Sequence, residues 1–428
     1  MRIKDLNVNE DILELFNYTL NGDAKAEVKK LLSLPLVSKE EILERQNILK
    51  GFMENFLLFE SYSYSRIDFR QVCIFLRNFD EHDFLPKRLK LKLRFSKKKH
   101  YDYRGRCVQL ITLFHRLHNH YIKRLVTAPF PEQYKNDIRL LDDFLNSFKL
   151  DYYENLIGEH KFGIKHIVQI IKHISLKKQK REIIPFQDTY TLFEAYISVI
   201  TGIKKHNFCF PEISSGQVSL TDFYHPLLKD PVKNTFTSNS NVILITGPNM
   251  SGKSTLLKAI SLCIYLGNIG FAVPAKAAQL PRYNNISVFI NLNDDMQSGY
   301  SHFMTEVINL KNVALEATDN SSNYAVFDEL FRGTNIEDAL EISQTTLRGL
   351  LNFKNSLFLV SSHLHQLTEM KEIQDKSIDT FYLDCNLKAN TPAFTYNLKP
   401  GWSDVKIGRI LFEKEGLNTI LNPKHTIS

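Results

Sequence analysis

The sequence has few cysteines, a single tryptophan and no long apolar run, and each shortage excludes a class of protein. Its five cysteines are scattered among 428 residues without a Cys-x-x-Cys pair, which excludes a disulfide scaffold and a zinc-finger site. No uncharged apolar stretch reaches the length of about 18 residues that a membrane span needs. The first ten residues lack the charged-then-apolar pattern of a signal peptide. These absences predict a cytoplasmic protein without membrane attachment.

The length and the charge distribution predict more than one domain. A chain of 428 residues is typical of two or three domains of about 150 residues each. Apolar residues make up 43% and charged residues 24% of the chain, as in ordinary globular proteins. The net charge of +7 is uneven, because residues 1–220 carry +9 and residues 221–428 carry −2. This asymmetry indicates either a basic part for an acidic partner or an ordinary solvated basic surface.

The first half of the chain is predicted to be helical. Apolar residues recur there at intervals of three or four positions, and glycine is sparse. Segments with this spacing include residues 11–20, 38–59, 105–125 and 136–148. Ser38 and Glu41 have the spacing of a capping box, which predicts that a helix begins at about Lys39. We therefore predict an α-helical domain over residues 1–210.

A basic segment interrupts this helical spacing. Leu89, Leu91, Leu93 and Phe95 alternate with basic residues, and this period of two predicts an exposed basic strand or an irregular helix. Residues 87–99 contain eight basic side chains and no acidic one. The eight are Lys87, Arg88, Lys90, Lys92, Arg94, Lys97, Lys98 and Lys99. They are candidates for contacts to the phosphates of a polyanionic partner, and equally for a solvated surface.

The second half changes character near residues 208–211. Short apolar runs alternate there with helix-like stretches, and residues 241–246, 324–327 and 356–362 are predicted as buried parallel strands. A turn and a helix-like segment follow each of them. This pattern is typical of an α/β domain whose site lies at the carboxyl ends of the strands. We predict this domain over residues 211–428.

The strongest motif follows the first of these strands. Residues 247–254 read Gly-Pro-Asn-Met-Ser-Gly-Lys-Ser and match the phosphate-binding pattern GxxxxGK[ST]. The glycines let backbone N–H groups approach a phosphate, and the following helix adds its positive end. Lys253 is predicted to reach the β- and γ-phosphates, and the Ser254 hydroxyl to bind Mg²⁺. The predicted ATP-binding residues are Gly247, Pro248, Asn249, Met250, Ser251, Gly252, Lys253, Ser254 and Thr255.

Two further motifs end the later strands. Residues 324–329 place four apolar residues before Asp328 and Glu329, as in a Walker B strand. Asp328 is predicted to hold Mg²⁺ through water, and Glu329 to polarise the attacking water as general base. His363 is predicted to contact the γ-phosphate or that water, whereas His365 is interpreted as structural. Together the motifs predict an enzyme that hydrolyses ATP to ADP and phosphate.

Four motifs together resemble the MutS family of DNA mismatch-repair ATPases, in that family's order and approximate spacing. They are TGPNMSGKST at 246–255, DDMQSGYSHFMTE at 294–306, FDELFRGT at 327–334 and SSHLHQL at 361–367. The resemblance is highly specific over residues 220–417 and weaker over residues 25–210. It implies an α-helical core/lever domain followed by an α/β P-loop NTPase domain of the ABC-like class. ATP and Mg²⁺ are the implied cofactors, and DNA is the implied partner.

The resemblance also implies roles for residues beyond the nucleotide motifs. Asn249 and His363 match positions near the γ-phosphate, and Ser301 matches a serine that is donated across a dimer to the partner's ATP. Each site is then incomplete in a monomer, which couples nucleotide state to association and to the helices that hold DNA. The implied partners are mismatched or branched double-stranded DNA and, at least when ATP is bound, a second copy of the chain.

The sequence departs from the family's pattern in several places. Ser251 stands where the family usually has glycine, and Val232 lies near the aromatic residue that stacks on adenine in bacterial members. The residues before position 25 are too few for the mismatch-reading domain, and a helix-turn-helix tail is not expected within residues 1–428. These departures predict a short form with the core/lever and ATPase domains only.

Two functions from different classes follow from these observations. The first is an ATPase that uses hydrolysis to change conformation on DNA, in mismatch repair or recombination. The second is a nucleotide-switched binding protein that has lost mismatch recognition and acts on branched DNA, RNA or a protein. Salt-dependent DNA binding separates the two. An ABC- or SMC-type ATPase is disfavoured, because no LSGGQ sequence lies just before Asp328 and no long heptad arm is present.

Overall fold

The chain folds into two compact units. A computed structural model describes residues 1–78, 85–248, 250–290, 302–318, 321–331, 333–388, 391–402 and 412–421. The helical unit consists of residues 13–31 and 44–205, and the sheet unit of residues 1–12, 32–43 and 206–428. By this grouping residues 1–12 and 32–43 belong with the second half of the chain, whereas the domain prediction placed them with the first.

Apolar spacing of three and four residues produces helices throughout the helical unit. The α-helices that begin between residues 13 and 205 are α1 (Leu13–Phe16), α2 (Gly22–Ser33), α3 (Lys39–Glu54), α4 (Arg66–Asn78), α5 (Pro86–Phe95), α6 (Lys97–Leu117), α7 (Lys123–Leu125), α8 (Glu132–Asn146), α9 (Leu150–Gly158), α10 (Ile164–Gln179) and α11 (Ile183–His206). A 3₁₀ turn covers Phe56–Leu58, and a π-helical turn covers His118–Ile122. Among the described residues, every helix is too short or too polar to span a lipid bilayer.

Aromatic packing forms the core of the helical unit. The Phe52 ring is fully buried, and its centroid lies 5.1 Å from that of Phe130 and 5.7 Å from those of Phe193 and Tyr196. Rings at these separations bury large apolar areas and attract one another through their edges and faces. Phe52 therefore joins helices α3, α8 and α11 through one contiguous cluster, to which Tyr134 of α8 also belongs.

A buried carboxylate connects the first residues of the helical unit to α11. Glu194 is 1% exposed, and its carboxylate accepts hydrogen bonds from Leu20 N at 2.7 Å and Asn21 Nδ2 at 3.0 Å. The Tyr64 hydroxyl also donates to it. Burial raises the pKa of Glu194, and the donated hydrogen bonds oppose that rise. Together with the Tyr62 hydroxyl, which donates at 3.4 Å, four donors around one carboxylate compensate its lost hydration.

The predicted start of α3 is confirmed. Glu41 N donates to Ser38 Oγ at 3.1 Å, and the Glu41 carboxylate accepts from Val37 N at 2.9 Å. These two bonds satisfy donors that a helix amino terminus otherwise leaves unpaired.

The basic segment forms a helix, so the strand alternative is wrong. Pro86 occupies the first turn of α5, where its fixed φ favours helix initiation. Leu89 and Leu93 are buried, whereas Leu91 and Phe95 are exposed. Residues four apart share a face of a helix, so alternate leucines over nine positions also produce two opposite helical faces. The period of two therefore did not discriminate between the two structures.

The sheet unit alternates strands and helices as predicted. Its strands are β1 (Glu212–Ser214), β2 (Val218–Phe223), β3 (Asn234–Ser238), β4 (Val242–Thr246), β5 (Ala277–Pro281), β6 (Asn285–Phe289), β7 (Asn323–Phe327), β8 (Leu357–Ser361), β9 (Asp379–Lys388) and β10 (Thr391–Pro400). Its α-helices beyond residue 206 are α12 (Lys253–Asn268), α13 (His302–Thr318), α14 (Ile336–Leu350), α15 (Lys371–Gln374) and α16 (Leu417–Leu421). Shorter 3₁₀ and π-helical turns cover Lys4–Leu6, Val8–Ile12 and His365–Glu369.

Strand order brings the three predicted strands together. The larger sheet runs β10-β9-β4-β8-β7-β6, and all its neighbouring pairs are parallel except β9 with β10. A second sheet runs β1-β5-β2-β3. All residues of β4, β7 and β8 are buried, as their continuous apolar runs predict. The carboxyl ends of β4, β8 and β7 therefore meet at one edge of the larger sheet.

Both halves of the fold-class prediction are confirmed at this level. The first half is helical, and the second half is a mixed α/β structure. The finer assignment to a P-loop NTPase class depends on the site at the sheet edge.

Candidate functional site

The loop between β4 and α12, which is the predicted phosphate loop, contains glycine backbone conformations and a helix amino terminus that would fit a phosphate. Gly247 and Gly252 have φ angles of 141° and 94°, which glycine adopts without strain. Helix α12 begins at Lys253, so its first N–H groups open onto the loop. The Ser251 hydroxyl is buried and has no hydrogen-bond partner among the described residues, which leaves it available to a ligand. Asn249 lies outside the described residues.

The Lys253 side chain lies along this loop. Its Nζ donates to Gly247 O at 2.9 Å and to Pro248 O at 3.2 Å. The same Nζ lies 3.8 Å from Glu329 Oε1, and the side chain is 5% exposed. Burial lowers the pKa of Lys253, and the carboxylates of Glu329 and Asp328 act in the opposite direction. An ammonium group held by two neutral carbonyls can exchange them for phosphate oxygens, which are stronger acceptors.

Asp328, at the end of β7, joins two serines from neighbouring elements. Ser254 Oγ donates to Asp328 Oδ2 at 2.5 Å, and Ser361 Oγ donates to Asp328 Oδ1. Ser361 Oγ also accepts the Glu329 N–H at 2.8 Å. A hydroxyl and a carboxylate that converge in this way are the hard oxygen ligands that Mg²⁺ prefers. The residues present therefore fit a magnesium ion.

Ser361 is a positioning residue that the sequence reasoning did not single out. The motif at residues 361–367 contains it, but the chemistry was assigned to His363. One sequence signal could have found it: Ser361 is the polar residue that ends a buried apolar strand. Asp328 follows another such strand, and polar residues at the ends of parallel strands lie at the same edge of the sheet.

Glu329 has a strained backbone next to Asp328. Its φ of 51° lies in the left-handed region, as does the φ of 66° at Phe331. Such conformations cost about 1–3 kcal/mol each in non-glycine residues and persist where surrounding contacts enforce them, often at functional sites. Here Ser361 Oγ accepts the Glu329 N–H, and the buried Glu306 carboxylate accepts the Phe331 N–H at 2.9 Å. These two contacts hold the Glu329 side chain towards Lys253.

Helix α13 is hydrogen-bonded to the loop that follows β7. Glu306 of α13 is 1% exposed and belongs to the motif at residues 294–306. Its bond to Phe331 N attaches that motif to the loop after β7. Ser301, the residue predicted to reach a partner's ATP, lies outside the described residues.

A cavity of about 340 Å³ adjoins the phosphate loop. Its lining includes His225, Leu228, Val232, Leu256 and Tyr396. Most of its lining surface is apolar, Lys229 and Asp230 also border it, and Ser251 and Gly252 connect it to the phosphate loop. This arrangement suits a flat, largely apolar group attached to a phosphate chain.

Tyr396 lines this cavity together with two other aromatic residues, Phe223 and Tyr224, and the sequence analysis missed it. A Cβ added to Gly252 would lie 3.2 Å from Tyr396 Cδ1, so glycine lets the ring approach the loop. Tyr396 has a φ of 57° at an irregularity in the pairing of β9 with β10. Asn234 of β3 fixes it in place, because its Nδ2 donates to Tyr396 O at 3.0 Å and its Oδ1 accepts from Leu398 N at 2.7 Å. No local motif marks this residue.

His363 and His365, the two histidines considered in the sequence analysis, lie just after β8. His363 lies two residues after Ser361 with an exposed side chain, and its contact with a γ-phosphate stays a prediction. The ring of His365 lies edge-on to Trp402 with centroids 6.0 Å apart. The eight basic candidates for DNA contacts lie elsewhere, on α5 and the first turn of α6, and all are exposed.

Comparisons with known proteins agree with the motifs. Residues 243–419 match the family model described as MutS domain V, and this range contains the phosphate loop, Asp328 and Glu329. The DNA mismatch repair protein MutS of Bacillus subtilis is 30% identical over 288 residues, which are 65% of this chain and 31% of that protein. The protein of the same name from Syntrophomonas wolfei is 26% identical over 329 residues, 71% of this chain and 37% of that protein. The matched part of the chain thus spans about a third of the length of these curated relatives.

Proposed function

We propose, from the premise that the chain belongs to the MutS family, that it is a P-loop ATPase of the ABC-like class that changes conformation on DNA. The observation that carries the proposal is the convergence of Lys253, Ser254, Asp328 and Glu329 at one edge of the larger sheet. A lysine, a hydroxyl and two carboxylates at the carboxyl ends of parallel strands are the groups that phosphoryl transfer to water requires.

Binding would use groups that are already oriented. The triphosphate lies against the loop of residues 247–252 and the first N–H groups of α12, and Lys253 exchanges its two carbonyl acceptors for phosphate oxygens. The buried Ser251 hydroxyl supplies a further donor. Ser254 and Asp328 would hold Mg²⁺, and the bound ion would neutralise negative charge on the β- and γ-phosphates.

Hydrolysis would use Glu329 as the general base. Its carboxylate accepts a proton from the water whose oxygen attacks the γ-phosphorus, while the bond between that phosphorus and the ADP oxygen breaks. Ser361 holds Asp328 and the Glu329 backbone at fixed positions and is therefore a positioning residue. We assign His363 to the γ-phosphate or to the attacking water.

Coupling between the nucleotide and the partner would act through association. Ser301, and with it the segment that precedes α13, is proposed to reach the ATP of a second copy of the chain. Glu306 of α13 accepts a hydrogen bond from Phe331 N, in the loop that follows Glu329. A partner bound at the segment before α13 would therefore change the position of Glu329 through this loop. Each site is then completed only when two copies meet, which makes ATP a ligand that favours the dimer.

The adenine base is proposed to lie in the cavity beside Tyr396, and this yields a prediction. Tyr396→Ala should raise KM for ATP about tenfold and leave kcat close to the wild-type value. The reason is that stacking on the adenine base lowers the free energy of bound ATP and of the transition state by the same amount. Steady-state hydrolysis over a range of ATP concentrations measures both constants. Tyr396→Phe is the matched control and should keep the wild-type KM. An unchanged KM in Tyr396→Ala would place the base elsewhere.

The proposed function is tested by DNA binding with and without ATP over a range of salt concentrations. We expect the purified chain to bind labelled mismatched or four-way-junction DNA more tightly than a matched duplex, with a preference that depends on ATP. Affinity should fall steeply as salt rises, because phosphate contacts release counterions. ATP hydrolysis without DNA binding, even at low salt, would favour the second function instead, a nucleotide-switched protein with another partner.

A further inference from the structure

The corner between α5 and α6 carries an exposed surface that the nucleotide chemistry does not use. We call residues 85–101 the basic corner. Leu91 and Phe95 of α5 are 54% and 86% exposed, and Tyr101 of α6 is 70% exposed. Exposed apolar side chains grouped in this way mark a contact surface more often than isolated ones do.

The exposed residues form a ridge on the outer face of α5. Leu89 and Leu93 are buried, and α5 packs on α6 and α10. At about 100° per residue, Leu91 and Phe95 project on the side opposite the buried pair. By the same geometry, Lys87 and Arg94 lie along one side of this ridge, and Arg88 and Lys92 along the other. The apolar ridge is therefore bordered by cations on both sides.

The turn into α6 adds positive charge at the end of the ridge. Ser96 has an extended backbone between the two helices, and its Oγ accepts from Lys99 N at 3.4 Å. Lys97, Lys98 and Lys99 occupy the first turn of α6, where the positive end of the helix dipole repels them. Three lysines at this position cost helix stability and raise the local positive potential.

None of the eight basic side chains of the corner forms an ion pair within the part of the chain that the structure describes. Basic residues elsewhere in the helical unit do find acceptors there. Lys177 pairs with Glu182 at 2.5 Å, and Arg106 pairs with Asp102 at 3.1 Å. Among the described residues, the corner thus presents cations without an acidic partner, which can meet an external anion.

We propose that the basic corner binds the phosphate backbone of DNA that contains unpaired bases, and that Phe95 stacks on one of those bases. The inference rests on the proposed action on DNA and specifies the DNA form and the residue that selects it. Cations that follow the backbone, together with an exposed ring for the bases, are the two elements of single-strand recognition. A paired duplex offers the same phosphates but keeps its base faces stacked.

The composition of the surface favours this partner over a protein. Protein interfaces are depleted of lysine and of charged residues near their apolar centre. Here residues 87–99 carry eight cations and no acid, and four of the cations border the two exposed apolar side chains. A polyanion matches that charge, and the flat face of a base matches the ring.

The test compares the full chain with Phe95→Ala on two labelled duplexes of the same sequence. One duplex is fully paired, and the other carries a short unpaired loop with 2-aminopurine in it. We expect Phe95→Ala to weaken binding to the looped DNA roughly 5- to 100-fold and to leave binding to the paired DNA unchanged. The wild-type chain should quench 2-aminopurine by stacking, and Phe95→Ala should not. Phe95→Trp should retain both effects.

Two further variants separate stacking from charge and from general loss of apolar surface. Leu57→Ala removes a side chain that is 82% exposed in the same unit, and it should leave both affinities unchanged. The double variant Lys90→Gln, Arg94→Gln should weaken binding to both duplexes. It should also reduce the slope of log affinity against log salt by about 0.9 per lost phosphate contact on paired DNA.

Three results would overturn the assignment. They are equal binding of looped DNA by the wild type and Phe95→Ala, equal losses on both duplexes, and self-association that Phe95→Ala abolishes. ATP hydrolysis without DNA is measured for every variant. Binding of looped DNA by a wild-type chain that does not hydrolyse ATP would contradict the proposed ATPase and leave the assignment of the basic corner intact. ATP hydrolysis by a wild-type chain that binds DNA, together with equal binding of looped DNA by Phe95→Ala, would contradict the assignment of the corner alone.

Discussion

Glu329→Gln is expected to bind ATP with nearly wild-type affinity and to hydrolyse it about 10²- to 10⁴-fold more slowly. Glutamine keeps the size and the hydrogen-bonding oxygen of the side chain but cannot accept a proton from water. The Glu329 N–H bond to Ser361 Oγ comes from the backbone, so it survives the substitution. The carboxylate does not belong to the pair of Ser254 and Asp328, so the magnesium ligands also remain.

The measurement is single-turnover hydrolysis together with equilibrium binding of ATP to the same preparation. Glu337→Gln is the matched control, because Glu337 is an exposed glutamate in the first turn of α14 and should leave both quantities unchanged. Hydrolysis by Glu329→Gln at the wild-type rate would show that another group activates the water. A lost affinity for ATP would assign Glu329 to binding rather than to proton transfer.

Lys253→Met is expected to lose ATP binding. Removal of one partner from a buried, hydrogen-bonded charge pair costs about 2–5 kcal/mol, which corresponds to roughly 30- to 5000-fold in affinity. Lys253 is 5% exposed at the start of α12, so water cannot replace its ammonium group beside the phosphates. Methionine fills most of the same space without the charge.

Stability distinguishes this loss of binding from a loss of folding. Burial lowers the pKa of Lys253, which means that the folded chain without nucleotide destabilises its charged form. Lys253→Met should therefore retain or raise the melting temperature while it abolishes binding. Lys276→Ala, at a lysine that is 76% exposed in the same unit, is the control and should keep wild-type affinity. Wild-type ATP affinity in Lys253→Met would exclude this loop as the phosphate site.

Local sequence determined the helices and the strands that carry the site. Spacing of three and four predicts the helical unit, and the capping pair Ser38 and Glu41 predicts a helix from about Lys39, where α3 begins. Continuous apolar runs predict β4, β7 and β8. The glycines and Lys253 mark the phosphate loop. Such signals are local, because each depends on the conformation of a few consecutive residues.

Ambiguity arose where one pattern suits two structures. Alternate apolar residues between Leu89 and Phe95 fit a strand or a helix, and the sequence alone could not choose. The buried pair Leu89 and Leu93 packs on neighbouring helices, and that packing decides for α5. Long-range contacts of this kind override a weak local preference.

By itself the sequence determined which chemical groups the chain carries and where each one lies along a helix, strand or loop. Only the tertiary structure decided which of them meet. Ser254 and Asp328 are separated by 74 residues, and the order of parallel strands brings them within 2.5 Å. Tyr396 reaches Gly252 because Asn234 and the irregular pairing of β9 with β10 direct it there. Distances between residues that are remote in sequence depend on strand order and packing. A short stretch of consecutive residues does not contain the information that determines either of them.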